Sequence, residues 1–370
     1  MPSINKTLKY TKFRPWQLRT EENDRLAYLL GEQGKLRREK KSQPFYTYVD
    51  CDWTPVNPKA PPKKDNQPGV MTTDSPPGFK SIYVITWSMN TDISKDGEMK
   101  QVLSCLETEV NKVPKDAAVV INLQVLRDWG IQYEPRNLKD IKSTPWVQER
   151  FNLTAVDKTA WEFSKRRKGF GFEVEGLLTM SDCRMAVVDV FQLPLVTLGE
   201  EERSALVLSV SIELKKDDPN SEKKQIAPAQ EYMHFANVQI NQDHLDLQRA
   251  QMMGLYHQLL ANSSTYTSTV IAGVCGMRWK DPQKEPLMYG LRDASLELGH
   301  IPGDPEQNTR SANLTLPLEE LRQDKQFAAG AVRPVDIDIL RLPEEGRLMG
   351  KCGVMVGYQL KEGIEHVAQE

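Results

Sequence analysis

No stretch of this 370-residue chain comes near the roughly 20 consecutive apolar residues that a membrane helix needs. The five cysteines, at positions 51, 105, 183, 275 and 352, form no CxxC pair and no metal-finger spacing, which speaks against a disulfide framework and a zinc site. Charge of one sign is missing too. Lys and Arg number 48 against 51 Asp and Glu, a net charge of −3, so no global field draws nucleic acid or an anionic membrane. The opening residues 1–16 carry no continuous apolar core, so no secretory signal is expected there. Together these absences predict an intracellular protein, cytoplasmic or nuclear, with reduced thiols and no membrane partner. Apolar residues make up 39% and charged residues 27%, which predicts a folded body carrying solvated, irregular segments.

The composition divides the chain. Residues 1–43 read as an N-terminal extension, with a short helix predicted over Asn23–Lys41 from Leu26, Leu29 and Leu30 on one face. Residues 44–79 read as an aromatic lead-in, Pro44 to Trp53, followed by a proline-rich linker. From residue 80 to 362 strands and helices alternate, and 363–370 is a tail. Strands are predicted at Ser81–Trp87, Ala117–Leu123, Gly176–Thr179, Met185–Leu193, Ala205–Leu214, Phe235–Ile240, Thr269–Gly273, Val335–Leu342 and Gly353–Leu360. The three from Gly176 to Leu214 read as successive strands of one antiparallel sheet. Helical spacing covers Gly97–Lys112, through Met99, Val102, Leu103, Leu106 and Val110, then Leu138–Arg150 and Leu245–Leu260. Pro286–Gly299 reads as partly helical and Ile301–Asn313 as turn-rich. The pattern predicts an α/β fold of the α+β type, with two sheets packed face to face and helices outside. In such a fold functional side chains gather where strand ends and loops converge on one rim.

From about Pro44 to Leu360, the order of these segments resembles the endonuclease/exonuclease/phosphatase superfamily, nearest to fungal tyrosyl-DNA phosphodiesterase 2-like proteins. The first strand ends Thr86-Trp87-Ser88, with Asn90 two residues on, where the family has Thr-Trp-Asn. The second ends Leu123-Gln124-Val125, where the family has Leu-Gln-Glu. Residues 140–157 resemble its substrate-side segment and 176–195 the hairpin that follows. Asn237-Val238-Gln239-Ile240 stands where the family has Asn-Val-His-Leu, and Arg249 and Gln251 match the opening of its next helix. Gly273-Val274-Cys275-Gly276 replaces Gly-Asp-x-Asn, Leu291-Arg292-Asp293-Ala294-Ser295 follows its Leu-x-Asp-Ala-Trp turn, and Gly350-Lys351-Cys352 replaces Ser-Asp-His. The resemblance implies a DNase I-like, four-layered α/β/β/α sandwich of two mostly antiparallel sheets. It also implies a magnesium-dependent phosphodiesterase ancestry.

The family's chemistry does not carry over at these positions. A magnesium site needs hard oxygen ligands, usually with carboxylates among them; Val125 supplies none. Water activation and charge stabilisation at phosphorus need an acid, a base or strong donors, and Ser88, Gln239, Val274, Gly276 and Cys352 do not form that set. Losing one such group costs on the order of 10² to 10⁴ in rate. The expectation is therefore a pseudoenzyme, without cofactor, that binds a protein or an anionic ligand. The alternatives are a divergent magnesium-dependent phosphodiesterase and a nucleic-acid binder that does not hydrolyse. His244 and Asp338 are the candidates for rescued catalysis, and Asp336 with Asp338 for a metal, because alternate residues share one face of a strand. Asn90, Gln124, Arg249, Lys351 and Arg203 are candidates for anion or substrate contact. Lys165, Arg166, Arg167 and Lys168, followed by Phe170 and Phe172, form a basic-aromatic run predicted to lie in a surface loop, where it would meet a phosphate backbone.

Overall fold

The computed structural model describes residues 25, 28, 29, 31, 32, 40–57, 79–89, 98–129, 136–156, 162–168, 171–197, 203–212, 231–240, 244–260, 267–275, 290–300, 324–342 and 352–360. In chain order the strands are β1 (Lys41–Ser42), β2 (Phe45–Val49), β3 (Asp52–Val56), β4 (Ser81–Ser88), β5 (Ala117–Trp129), β6 (Phe151–Leu153), β7 (Glu162–Lys168) and β8 (Gly171–Asp182). They continue with β9 (Val187–Leu195), β10 (Arg203–Ile212), β11 (Glu231–Gln239), β12 (Thr267–Val274), β13 (Arg292–Asp293), β14 (Asp324–Ala329), β15 (Val332–Arg341) and β16 (Cys352–Leu360). The helices are α1 (Glu98–Lys112), α2 (Arg136–Ser143), α3 (Pro145–Arg150), α4 (Leu245–Leu259) and α5 (Ala294–Glu297).

Among the described residues these strands make two mixed sheets. One has seven strands in the order β1-β9-β10-β11-β12-β14-β13. The other has nine, in the order β15-β16-β4-β5-β8-β6-β2-β3, with β7 paired to β8. Only β4 with β5 and β11 with β12 run parallel; the remaining pairs are antiparallel. Period-2 alternation decides which face each side chain takes. On β4, Ile82 and Val84 enter the layer between the sheets, while Ile85 and Trp87 turn to the outer face. The inter-sheet core also holds Val120, Phe235, Val270, Ala272, Val354 and Tyr358. On the outer face of the nine-stranded sheet, Met99, Val102, Leu103, Leu106 and Val110 of α1 are buried at the spacing expected of an amphipathic helix. On the other outer face, Met252, Leu255 and Leu259 of α4 pack on Val207, Ala236 and Ile271. The four-layered sandwich expected from the sequence is present.

Several boundaries differ from expectation, each for a physical reason. The residues before the linker are part of the sandwich: β1, at the end of the N-terminal extension, pairs with β9, and Tyr46 of β2, in the aromatic lead-in, pairs with Leu153, so one segment ties into both sheets. Gly176–Thr179 belongs to β8 in the nine-stranded sheet, while β9 and β10 lie in the other sheet; the chain changes sheet through the turn after Asp182. Asp182 is the buried staple of that base, accepting from Arg184 Nε at 2.8 Å and from Arg184 Nη2 at 2.6 Å. The same guanidinium donates to the carbonyls of Lys115 and Ala117, where β5 begins. The segment Leu138–Arg150 forms two helices, broken before Pro145, whose ring disfavours helical backbone at Thr144. The strand β14 has no apolar run to announce it, since its first three residues are Asp324, Lys325 and Gln326, all buried. The turn-rich stretch 301–313 lies outside the described residues, as do most of residues 1–43.

Glycine fixes one close approach at the end of β12. Gly273 has φ of 150°, and a methyl group added there would overlap the carbonyl oxygen of Val238 on β11. Backbone against backbone has little room to give. Gly273→Ala is expected to cost on the order of 3 kcal/mol of unfolding free energy, measured by urea titration; a loss under roughly 1 kcal/mol would show that the two strands separate easily there.

Candidate functional site: the rim where the parallel strands end

Strands β4, β11 and β12 end at the same rim, where β5 leaves its parallel pairing with β4 and runs on, and the antiparallel β14 and β16 begin there. Within the sheets Ser88 pairs with Gln124, Gln239 with Val274, Val274 with Asp324, and Gly353 with Trp87. Main-chain bonds close each sheet at this level, Met89 N to Gln124 O at 2.9 Å and Ile240 N to Val274 O at 2.8 Å. The alternation that buries Val84, Val120, Phe235 and Ala328 between the sheets carries the same face forward to polar pairs two residues apart. These pairs are Thr86 with Ser88, Asn122 with Gln124, Asn237 with Gln239, and Asp324 with Gln326.

The inner members of these pairs form a buried, uncharged network that crosses the sandwich. Gln124 Nε2 lies 2.9 Å from Thr86 Oγ1, 3.0 Å from the Asn122 carbonyl and 2.8 Å from Asn237 Oδ1. Asn237 Nδ2 donates to the carbonyls of Leu123 at 3.1 Å and Leu178 at 2.9 Å. Thr179 Oγ1 donates to Asn122 Oδ1 at 2.8 Å, and its amide donates to Thr154 Oγ1 at 2.9 Å. A second carboxamide repeats the motif: Gln326 Nε2 donates to the carbonyls of Val84 and Val354 at 2.9 and 3.0 Å, and its Oε1 accepts from the Tyr358 hydroxyl at 3.2 Å. Thr86, Asn122, Gln124, Thr179 and Asn237 are all 0% exposed. A bulge in β5 between Leu123 and Leu126 sets the local register against β8 at Gln124 and Val125. Two donors stay unanswered at this level: Asn122 Nδ2 between the sheets, and Trp87 Nε1 on the outer face.

No protein-family model matches the sequence, and no curated protein matches it. Among solved structures the chain is similar to TDP2 from D. rerio complexed with a single-stranded DNA product, at 12% identity and TM-score 0.47, over 75% of this chain and 99% of that one. It is similar to truncated TDP2 from Caenorhabditis elegans at 12% identity and TM-score 0.49, over 75% of this chain and 97% of that one. A third is the endonuclease/exonuclease/phosphatase from Beutenbergia cavernae, at 16% identity and TM-score 0.49, over 76% of this chain and 72% of that one. At such identities and scores the likeness carries no assignment of activity, and the fold stands on the sheet order and layers of the chain itself.

The structure brings together Ser88, Gln124, Gln239 and Val274 at the rim, with the backbone of Val125 in the β5 bulge and that of Cys352 at the start of β16. Asn90, Gly276 and Lys351 lie outside the described residues. His244 is exposed at the N-cap of α4 and makes no side-chain capping bond. Arg249 rides on α4, outside the seven-stranded sheet, and Arg203 opens β10. Asp336 and Asp338 are on the outer face of β15, since Ile337 and Ile339 take the inner one. There they are exposed beside α1; burial, Asp336 and Glu109 push the Asp338 carboxyl above its usual range against the pull of Lys112. Burial, Asp336 and Asp338 likewise raise the Tyr83 phenol. The basic run is a strand, not a loop: β7 pairs with β8 from Phe163 and Val174 to Lys168 and Gly171. The sequence shows Thr86 and Asn237 in its motifs without marking them as candidates, and it passes over Asn122, Asp324 and Gln326; their signal is the repeated polar pair at the rim end of otherwise apolar strands.

A divalent cation does not fit the described side chains of this rim. Its donors are two hydroxyls, neutral carboxamides and the single carboxylate of Asp324, and among the described residues no three His, Cys, Asp or Glu converge to hold a metal.

The largest resolved proton effect lies away from the rim, on the outer face of the seven-stranded sheet. His234 Nδ1 is 2.7 Å from Ser209 Oγ. Burial and the nearby Lys40 ammonium lower its pKa from 6.5 to about 4, against the opposing pull of Asp189. Lys40 in turn bonds Asp189 Oδ2 at 2.7 Å and sits 3.6 Å above the Phe191 ring. The folded chain thus keeps His234 neutral while the unfolded chain protonates it near 6.5. Stability from this group is present above pH 6.5 and is lost as pH falls towards 4. The loss is on the order of 3 kcal/mol in total. Thermal melts from pH 7 to 4 should show a steep fall that flattens in His234→Gln; parallel curves for the two proteins would contradict the assignment.

Proposed function

We propose that this chain is a non-hydrolysing binding or scaffold module on a sandwich of the endonuclease/exonuclease/phosphatase type. The observation that supports this most is the Gln124–Asn237 bond. Where hydrolysis would require charged, water-exposed groups, two neutral carboxamides are bonded to each other and to main-chain carbonyls, out of contact with solvent. A group so fully engaged is not available to activate water or to hold a hydrated cation.

A second reading is favoured by one further feature. Strand β5 continues past its last pairing with β4, at Gln124, and among the described residues Leu126–Trp129 pair only with β8, which in turn pairs with β7. The Lys165–Lys168 run therefore lies on the edge strand of a three-stranded extension that passes beyond the rim. An edge strand bearing consecutive cations suits contact with an anionic partner, a single-stranded nucleic acid among them.

Assays on a generic phosphodiester with magnesium or manganese should show no turnover above buffer, unchanged in Asp338→Ala and His244→Ala. Saturable turnover lost in either variant would overturn the reading. If the extension binds single-stranded DNA, neutralising Lys165, Arg166, Arg167 and Lys168 should reduce the slope of log affinity against log salt by about 2 to 3. An unchanged slope would remove the second reading.

A further inference from the structure

We propose that Val196, Leu247 and Ala250 form a docking groove for an amphipathic helix of another protein, and that the chain's own N-terminal helix fills it as a displaceable plug. Residues 25, 28, 29, 31 and 32 belong to that helix. Among them only Leu29 is buried, at 1% exposure, while Tyr28 beside it is 65% exposed. Leu29 completes a small apolar cluster with Val196, Leu247 and Ala250, separate from the three larger cores. Helix α4 therefore buries two faces. Met252, Leu255 and Leu259 pack on the seven-stranded sheet, whereas Leu247 and Ala250 receive Leu29. A surface helix ordinarily presents one apolar stripe to its core, so the second stripe marks a contact made beyond the sheet.

The groove is held in shape without the plug. Gln251 is buried and donates from Nε2 to the Val196 carbonyl at 2.6 Å, which fixes the chain after β9 against α4. The plug itself is weakly built. A short helix is marginal in water on its own, and Gly31 lowers its stability further. Packing does not ask for that glycine: a methyl group added there meets no atom within 4 Å, and its φ is not positive. A helix with the same leucine anchor and a better helix former in place of Gly31 loses less on ordering and so wins the groove. The groove lies on α4, and its occupancy does not depend on any chemistry at the rim.

The probe is a fluorescein-labelled peptide of residues 20–34 carrying Gly31→Ala, titrated into the full chain and followed by fluorescence anisotropy. It should bind saturably to the Leu29→Gln chain, and about tenfold more weakly to the wild type, whose tethered plug competes for the groove. Gly31→Ala in the full chain should weaken the peptide by a further factor of roughly 3. That change runs opposite to the effect of Leu29→Gln, so unfolding does not explain the pair. A peptide that also carries Leu29→Gln should not bind. Equal affinity for the wild type and Leu29→Gln would overturn the plug, as would binding that ignores the peptide's leucine. So would an absence of binding to Leu29→Gln up to roughly 1 mM, the local concentration of a tethered segment. Wild-type dimers in sedimentation that Leu29→Gln abolishes would give the groove to a second copy and overturn the foreign helix.

Discussion

Side-chain amides that donate across the sandwich to main-chain carbonyls hold its two sheets in one relative position. Asn237 grips the carbonyls of Leu123 and Leu178, and Gln326 grips those of Val84 and Val354. Both belong to the seven-stranded sheet and reach into the nine-stranded one. Apolar contact between sheets is non-directional and tolerates sliding, whereas a carboxamide with both hydrogens placed on two carbonyls does not. The hydrophobic layer supplies most of the energy, and the amides supply the register. A half-satisfied polar layer would be worse than an apolar one, which ties Thr86, Asn122, Gln124, Thr179 and Asn237 to one another.

The two ends of the sandwich solve the same problem with different chemistry. At the base, the buried Asp182 carboxylate is met by Arg184, with Arg150 Nε 3.8 Å away, so charge is answered by charge. At the rim the bonds that cross between the sheets are neutral, amide to amide, and Asp324 is the single described carboxylate there. One carboxylate leaves a hard cation short of the ligands it requires. Under the proposed function, binding falls to surfaces around the rim, the three-stranded extension among them.

Much of this was legible in the residues. The helix over Glu98–Lys112 was written in the spacing of Met99, Val102, Leu103, Leu106 and Val110, and the strands carrying Ile82 or Val270 in their β-branched runs. What escaped did so because local pattern does not report burial by a distant partner. Asp324-Lys325-Gln326 carries no apolar run, yet it is a buried strand because Val274, Gly273 and Ala272 of β12 supply its ladder. Lys165–Lys168 reads as a loop because four consecutive cations show no apolar alternation, and it belongs to a strand because β8 supplies the ladder. The site was half legible. Ser88, Gln124, Gln239 and Val274 could be placed at one rim from their motifs, whereas the bonds of Asn237 with Gln124 and with the Leu123 carbonyl join residues more than 100 positions apart. The alternating polar pairs were the available sign, and they are visible only once each strand's inner face is known.

Hydrogen exchange of the side-chain amides, followed by NMR at the Gln124 and Asn237 carboxamides, tests the central claim most directly. If these groups join the two sheets, their protons should exchange as slowly as the strand amides around them, since both wait on the same opening of the sandwich. Exchange as fast as that of an exposed carboxamide such as a surface glutamine would show that the rim layer is wet and open, and the account of a neutral, closed rim would fail.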